Sequence, residues 1–177
     1  MFKEWNDYFL MIGSSAAALI GLMFIVVTLT AGRDRRETER GKHLYTSPVV
    51  GHLGVVLLLS GGAIAPAMTP AWFGVASAGI GLIGLVICVR NGIAIAGVRM
   101  SGDDNSRFDM WWYGFVPGAV YAALGIAAVA MLARAAWGES AVAAALMALL
   151  LVSIHAEWDL VTFLAPMAPA SDSGSQS

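Results

Sequence analysis

Charged and apolar residues are segregated along this chain into long blocks, without the three-to-four-residue alternation of a water-soluble helix. Phe9 to Ala31 carries no charge over 23 residues, enough to cross a hydrocarbon core of about 30 Å at about 1.5 Å per residue. From Leu44 to Val89 only His52 is ionisable near neutral pH, and Pro66, Thr69 and Pro70 punctuate the middle. This predicts a helical hairpin with spans over 47–67 and 71–89. Arg90 ends the charge-free block, yet Gly92 to Val98 is again apolar. The third helix is therefore expected to run past the membrane while the Arg90 side chain snorkels to the interface. Met110 to Leu132 reads as a fourth span kinked at Pro117. Ala141 to Ala165 reads as a fifth, although it contains His155, Glu157 and Asp159. If that last segment does not cross, four spans remain.

Composition strengthens this reading. Of 177 residues 58% are hydrophobic and 12% charged, against roughly 45–50% and 25% in soluble domains. The chain is expected to be an all-α polytopic transmembrane bundle forming one domain over residues 1–165, followed by a polar, disordered tail over 166–177. The segment from Met1 to Gly13 mixes Lys3 with Glu4 and Asp7 before an overlong apolar run, unlike a secretory signal, and reads as retained. Cys88, the one cysteine, has no intrachain disulfide partner and reads as a small packing residue.

The net charge of -2 conceals an uneven distribution. Arg33, Arg35, Arg36, Arg40 and Lys42 follow the first span, and Arg90, Arg99 and Arg107 follow the third; these are eight of the ten basic residues. The positive-inside rule puts both connectors on the cytoplasmic side, with the N-terminus outside and, for five spans, the C-terminus inside. Trp5, Tyr8, Trp72 and Trp137 then fall at outer boundaries, and Tyr45, Trp111, Trp112 and Tyr113 at inner ones, where amphipathic rings prefer to sit. The first connector reads as a solvated stretch meeting phospholipid headgroups or a cytoplasmic partner. The acidic loop from Ser101 to Asp109 lacks the ligand spacing of a calcium loop.

Gly79, Gly81 and Gly84 spell a dinucleotide-binding pattern, but that turn needs a preceding strand, and here it lies in mid-span; close helix packing is the reading adopted. Gly13, Ala17 and Gly21 form a ladder of small residues at every fourth position, as do Gly114, Gly118 and Ala122. Such stripes serve packing within one chain or between copies, so a homo-oligomer in the bilayer is expected.

Span five carries the candidate chemistry. His155 and Asp159 are four residues apart and share a helix face, while Glu157 points about 160° away. With His52 and Arg90, these groups lie in the same half of the predicted bundle. Each costs about 2.5–3.5 kcal/mol or more in lipid, so each should pair or face water. One reading is a proton or cation path through His52, Arg90, His155, Glu157 and Asp159. The other is structural, with Glu157 or Asp159 neutralising Arg90. His155, Asp159 and His52 as metal ligands rest on spacing alone, and Ser153 stands on a face opposing His155, so neither a metal site nor a nucleophilic triad is expected. No cofactor, nucleic-acid partner or enzymatic activity is expected either.

The segment from Trp5 to Phe9, the helix from Ser14 to Leu29, the basic connector and a second helix ending at Pro66 resemble an uncharacterised family of small bacterial multi-span membrane proteins. Its members share an aromatic N-terminal segment leading into an "AAALTGLxFV"-like helix. This chain has Ile20 where that pattern often has Thr. The resemblance implies a bacterial inner-membrane location and carries over no activity or site residue. Two functional expectations remain: an oligomeric channel for ions or protons, and a non-catalytic accessory protein that binds another membrane protein.

Overall fold

The computed structural model describes residues 3–30, 47–98 and 114–164. A short 3-10 turn at Lys3–Trp5 leads into α1 (Asn6–Thr30), followed by α2 (Ser47–Ile64), α3 (Pro70–Val98), α4 (Val116–Leu132) and α5 (Gly138–Leu164). Among the described residues there is no strand. Asn6–Val26, Pro70–Ile93 and Gly138–Asp159 are long and apolar enough to cross a membrane. α2 and α4, apolar over Val49–Ile64 and Val116–Leu132, are shorter, at about 25 Å each. The tail over 166–177 and the cluster of basic residues after α1 lie outside the described residues, as do Tyr45, Trp111, Trp112 and Tyr113.

α3 runs on past Arg90 as expected and reaches Val98, nine residues beyond the predicted span end at Val89, because nothing in Arg90 to Val98 breaks a helix; Arg90 is exposed. Pro117 stands in the first turn of α4, directly after a π-turn at Gly114 and Phe115, whose Phe115 backbone is itself helical (φ -73°, ψ -45°); Met110 to Tyr113, the start of the expected span, lie outside the described residues. Thr69 caps α3: its Oγ1 accepts a hydrogen bond from the Trp72 N–H at 3.3 Å, with Pro70 at the first helical position. α4 closes with Ala135 N–H donating to the Ala130 carbonyl and Arg134 N–H to that of Met131. Arg134 takes φ 59° in place of the usual glycine.

Named contacts fix the helix directions. Gly13 in the first half of α1 faces Ser60 near the end of α2, and Gly74 near the start of α3 faces Leu132 at the end of α4 while Gly92 late in α3 faces Gly114 just before α4, so both pairs are antiparallel. Tyr8 Oη donates to the Ala143 carbonyl at 3.0 Å, near the starts of both helices, so α1 and α5 run parallel. The helices therefore alternate up and down. Trp5, Tyr8, Trp72 and Trp137 all gather at one end of the bundle. α3 packs most extensively on α4, α1 on α2, and α5 on α4; α5 also touches α1 and α2, whereas α2 and α3 touch sparsely.

Hydrophobicity barely varies around each helix, but burial does. Phe9, Ile12, Ala16 and Met23 of α1 are buried, and so are Val49, Leu53, Val56, Leu59 and Ala63 of α2. The stripe in α3 is Phe73, Ser77, Gly81, Gly84 and Cys88, and in α5 it is Val142, Leu146, Leu149, Ser153 and Glu157. These positions alternate by three and four, the period of helices crossing at about 20°. Leu22, Phe24, Leu58, Leu82, Ile83 and Leu151 are exposed, giving the bundle the apolar outer surface that a bilayer solvates and water does not.

This period also sorts the two small-residue ladders. A four-residue step drifts about 40° around a helix, so the first ladder leaves the packed face. Gly13 meets Ser60, while Ala17 is exposed and a Cβ on Gly21 would meet nothing within 4 Å. In the second ladder, Gly114 faces Gly92 and Gly118 faces Cys88 across the α3–α4 seam, with Ala122 half-buried beside them. In the glycine pattern of α3, Gly81 and Gly84 face α4, whereas Gly79 faces open space.

Candidate functional site

Glu157 is placed by the packing period of α5: Val142, Leu146, Leu149 and Ser153 precede it on one buried stripe, and its own exposure is 8%. Ser153 is satisfied locally, its Oγ donating to the Leu149 carbonyl at 2.8 Å. Glu157 has no such recourse, and its Oε1 has no hydrogen-bond partner among the described residues. A buried acceptor left this way costs about 1–3 kcal/mol, more when charged. The carboxyl lies about 10 Å inside the described end of α5.

The space beside it is a crevice of about 500 Å³ between α1 and α5. Leu19, Leu22, Met23 and Val26 form the α1 wall, and Leu151, Ile154, His155, Glu157 and Trp158 the other. α1 and α5 are tied at the opposite end by Tyr8 and Ala143, so the crevice lies where they part. Glu157 and His155 border the same space, although the helical angle between them placed them apart. The crevice wraps around α5 and the side chains reach it from two directions. His155 Nε2 also lies 3.5 Å from Asp159 Oδ2, with the two side chains 41% and 39% exposed. Asp159 itself does not border the crevice.

The other two candidates lie elsewhere. Arg90 is exposed on α3, and among the described residues no ion pair joins it to Glu157 or Asp159. His52 is 9% exposed on α2, where its Nδ1 lies 2.8 Å from Tyr121 Oη of α4, with ring centroids 5.4 Å apart. The pair closes the floor of a second cavity, of about 360 Å³, between α2, α3 and α4. Leu53 and Val56 of α2 and Leu146 and Leu149 of α5 are buried in the one hydrophobic core. The five candidates thus separate into a carboxyl–imidazole crevice, an arginine at the periphery and a histidine–tyrosine pair. Tyr121 escaped the sequence reading, because nothing in a 69-residue separation marks it as a partner of His52. Among the described residues, no three His, Cys, Asp or Glu side chains come together as a metal site.

The chain matches no protein-family model, no curated protein and no solved structure. Its function is therefore argued from these sites.

Proposed function

We propose that this is a five-span, non-enzymatic protein of a bacterial cytoplasmic membrane, assembled from several copies, which passes protons or cations along the α1–α5 crevice. The observation that carries the reading is the Glu157 carboxyl, 92% buried, with one oxygen unpartnered among the described residues and His155 bordering the same space. A carboxyl and an imidazole in one apolar crevice exchange protons readily, and a half-exposed Asp159 beside His155 links them to the surface. The filled core argues against a path through the middle of one protomer. A path along the outer crevice needs a wall against lipid, which a second copy would supply.

The topology that goes with this reading has α2 and α4 crossing despite their length, by local thinning of the bilayer. The basic connectors and the C-terminus then lie in the cytoplasm, with the N-terminus and the end bearing Trp72 and Trp137 outside. A reporter fused after Ser177 should score as cytoplasmic; an external score removes the fifth span and the reading with it. In proteoliposomes, the wild type should dissipate an imposed proton or cation gradient. Glu157→Gln keeps the shape of the side chain but not its charge, and should slow the dissipation at least tenfold. Absence of flux in the wild type across pH and membrane potential would overturn the proposal.

A second reading, a non-catalytic accessory protein, is favoured by a separate groove along α3 and α4. Leu85, Val89, Gly92, Phe115, Gly118 and Ala122 give it an almost wholly apolar lining, suited to a transmembrane helix of another protein. In that case a defined membrane protein co-purifies and the liposomes stay sealed.

A further inference from the structure

The second cavity has no part in the conduction reading, and its chemistry is distinct. Its walls are apolar side chains of α2 and α3, among them Val55, Ile80 and Ile83, and its floor is the His52–Tyr121 pair. It opens where α2 and α3 touch sparsely, and Gly51, Ile83 and Asn91 at its rim are exposed. One side of the imidazole is satisfied by Tyr121, whose Oη lies 2.8 Å from Nδ1. The pair always has a proton to offer outwards. If Tyr121 donates to Nδ1, Nε2 carries the hydrogen; if Nδ1 donates to Tyr121, the phenol is free to donate onward. Asn91 adds an amide at the rim.

We infer that this cavity binds a neutral, lipid-dissolved ring carbonyl compound of the quinone type, its carbonyl oxygen accepting a hydrogen bond from the His52–Tyr121 pair and its apolar part lying along Ile80 and Ile83. A volume of about 360 Å³ lies within the range of small-molecule sites, about 300–1,000 Å³, which typically combine apolar walls with a few convergent polar groups. Depth selects the class of carbonyl. α2 continues for five described residues on one side of His52 and twelve on the other, which puts the donor about 5 Å from the middle of the helix. Glycerolipid ester groups sit at the edge of the hydrocarbon core, which thinning around α2 brings to the helix ends, so their carbonyls lie about 7 Å from this level. A compact uncharged ring partitions to it.

The test uses the full chain in nanodiscs of quinone-free phospholipid, titrated with decylubiquinone and read by equilibrium dialysis. Wild type should bind one molecule per protomer, saturably. Tyr121→Phe should bind about tenfold more weakly, the loss of one buried hydrogen bond. A Cβ at Gly51 meets nothing within 4 Å, so Gly51→Leu keeps the helix intact and fills the mouth; it should abolish binding while the protein stays monodisperse. Unsaturable partitioning into wild type, equal affinity in Gly51→Leu, or a tightly held glycerolipid that the quinone does not displace would each overturn the inference.

Discussion

Gly81→Leu should cost the bundle about 3–5 kcal/mol, enough to abolish recovery of folded protein from the membrane, whereas Gly79→Leu two residues away should change stability by less than about 0.5 kcal/mol. The difference follows from what a side chain would meet. A Cβ on Gly81 falls 2.9 Å from the Gly125 backbone nitrogen and 3.1 Å from the Tyr121 carbonyl oxygen. Backbone cannot rotate aside, so α3 and α4 would have to separate along the most extensive seam in the bundle. Gly84→Leu should be nearly as severe, since its Cβ would fall on the Tyr121 ring, whose hydroxyl is held by His52. On Gly79 a Cβ meets nothing within 4 Å, and leucine there adds a lipid-facing group with a better helix propensity than glycine. Thermal unfolding in detergent, followed by the monodisperse fraction on size exclusion, separates the three variants. Equal tolerance of Gly79→Leu and Gly81→Leu would mean that α3 and α4 do not approach through these glycines.

How far the sequence could be read depended on which property carried the information. Charge-free length located the first four helices, because exclusion of charge is what an apolar environment demands, and the fifth was found from its apolar run despite His155, Glu157 and Asp159. Helix ends were less legible: the charge-free run shows that α3 passes Arg90 but does not fix where it stops. Facing was barely legible at all. In a soluble helix polarity marks the outer face, but here Leu82 and Ile83 are exposed while Ser77 and Gly84 are buried. Lipid removes the hydrophobic reason to hide large aliphatic groups, and close backbone approach rewards small ones inside. Size periodicity of three and four residues, read in place of hydropathy, separates the packing roles of Gly81 and Gly84 from that of Gly79.

The candidate site was legible as a set of residues but not as a set of neighbours. An ionisable side chain in an apolar run stands out one residue at a time, so His52, Arg90, His155, Glu157 and Asp159 could each be found. Grouping them needed the order in which helices pack. α5 lies against α4, α1 and α2, and α3 pairs chiefly with α4, which carries Arg90 away from the carboxylates and delivers Tyr121 to His52. Between His155 and Glu157, the angular argument along one helix was too strict because it treated the site as a line. The crevice is wide enough to touch α5 over an arc.

Glu157→Leu should raise the stability of the protein by about 2 kcal/mol and, on the conduction reading, abolish flux. A carboxyl at this position pays for burial without a hydrogen bond to one oxygen among the described residues, and leucine of similar bulk continues the apolar stripe of Leu146 and Leu149. The asymmetry makes the variant informative. Most substitutions at buried positions destabilise, so a gain in stability combined with a loss of flux identifies a group kept for what it does. Asp159→Asn is the control for stability alone: Asp159 is 39% exposed beside His155, so stability should move by no more than about 0.5 kcal/mol, while flux should fall because this carboxylate belongs to the proposed path. Denaturant titration in micelles gives the stability, and gradient dissipation in liposomes gives the function. A fall in stability for Glu157→Leu would mean that the carboxyl is held by a partner within the protomer. The crevice would then be a packing defect beside a satisfied side chain, with no free acid to carry a proton along it.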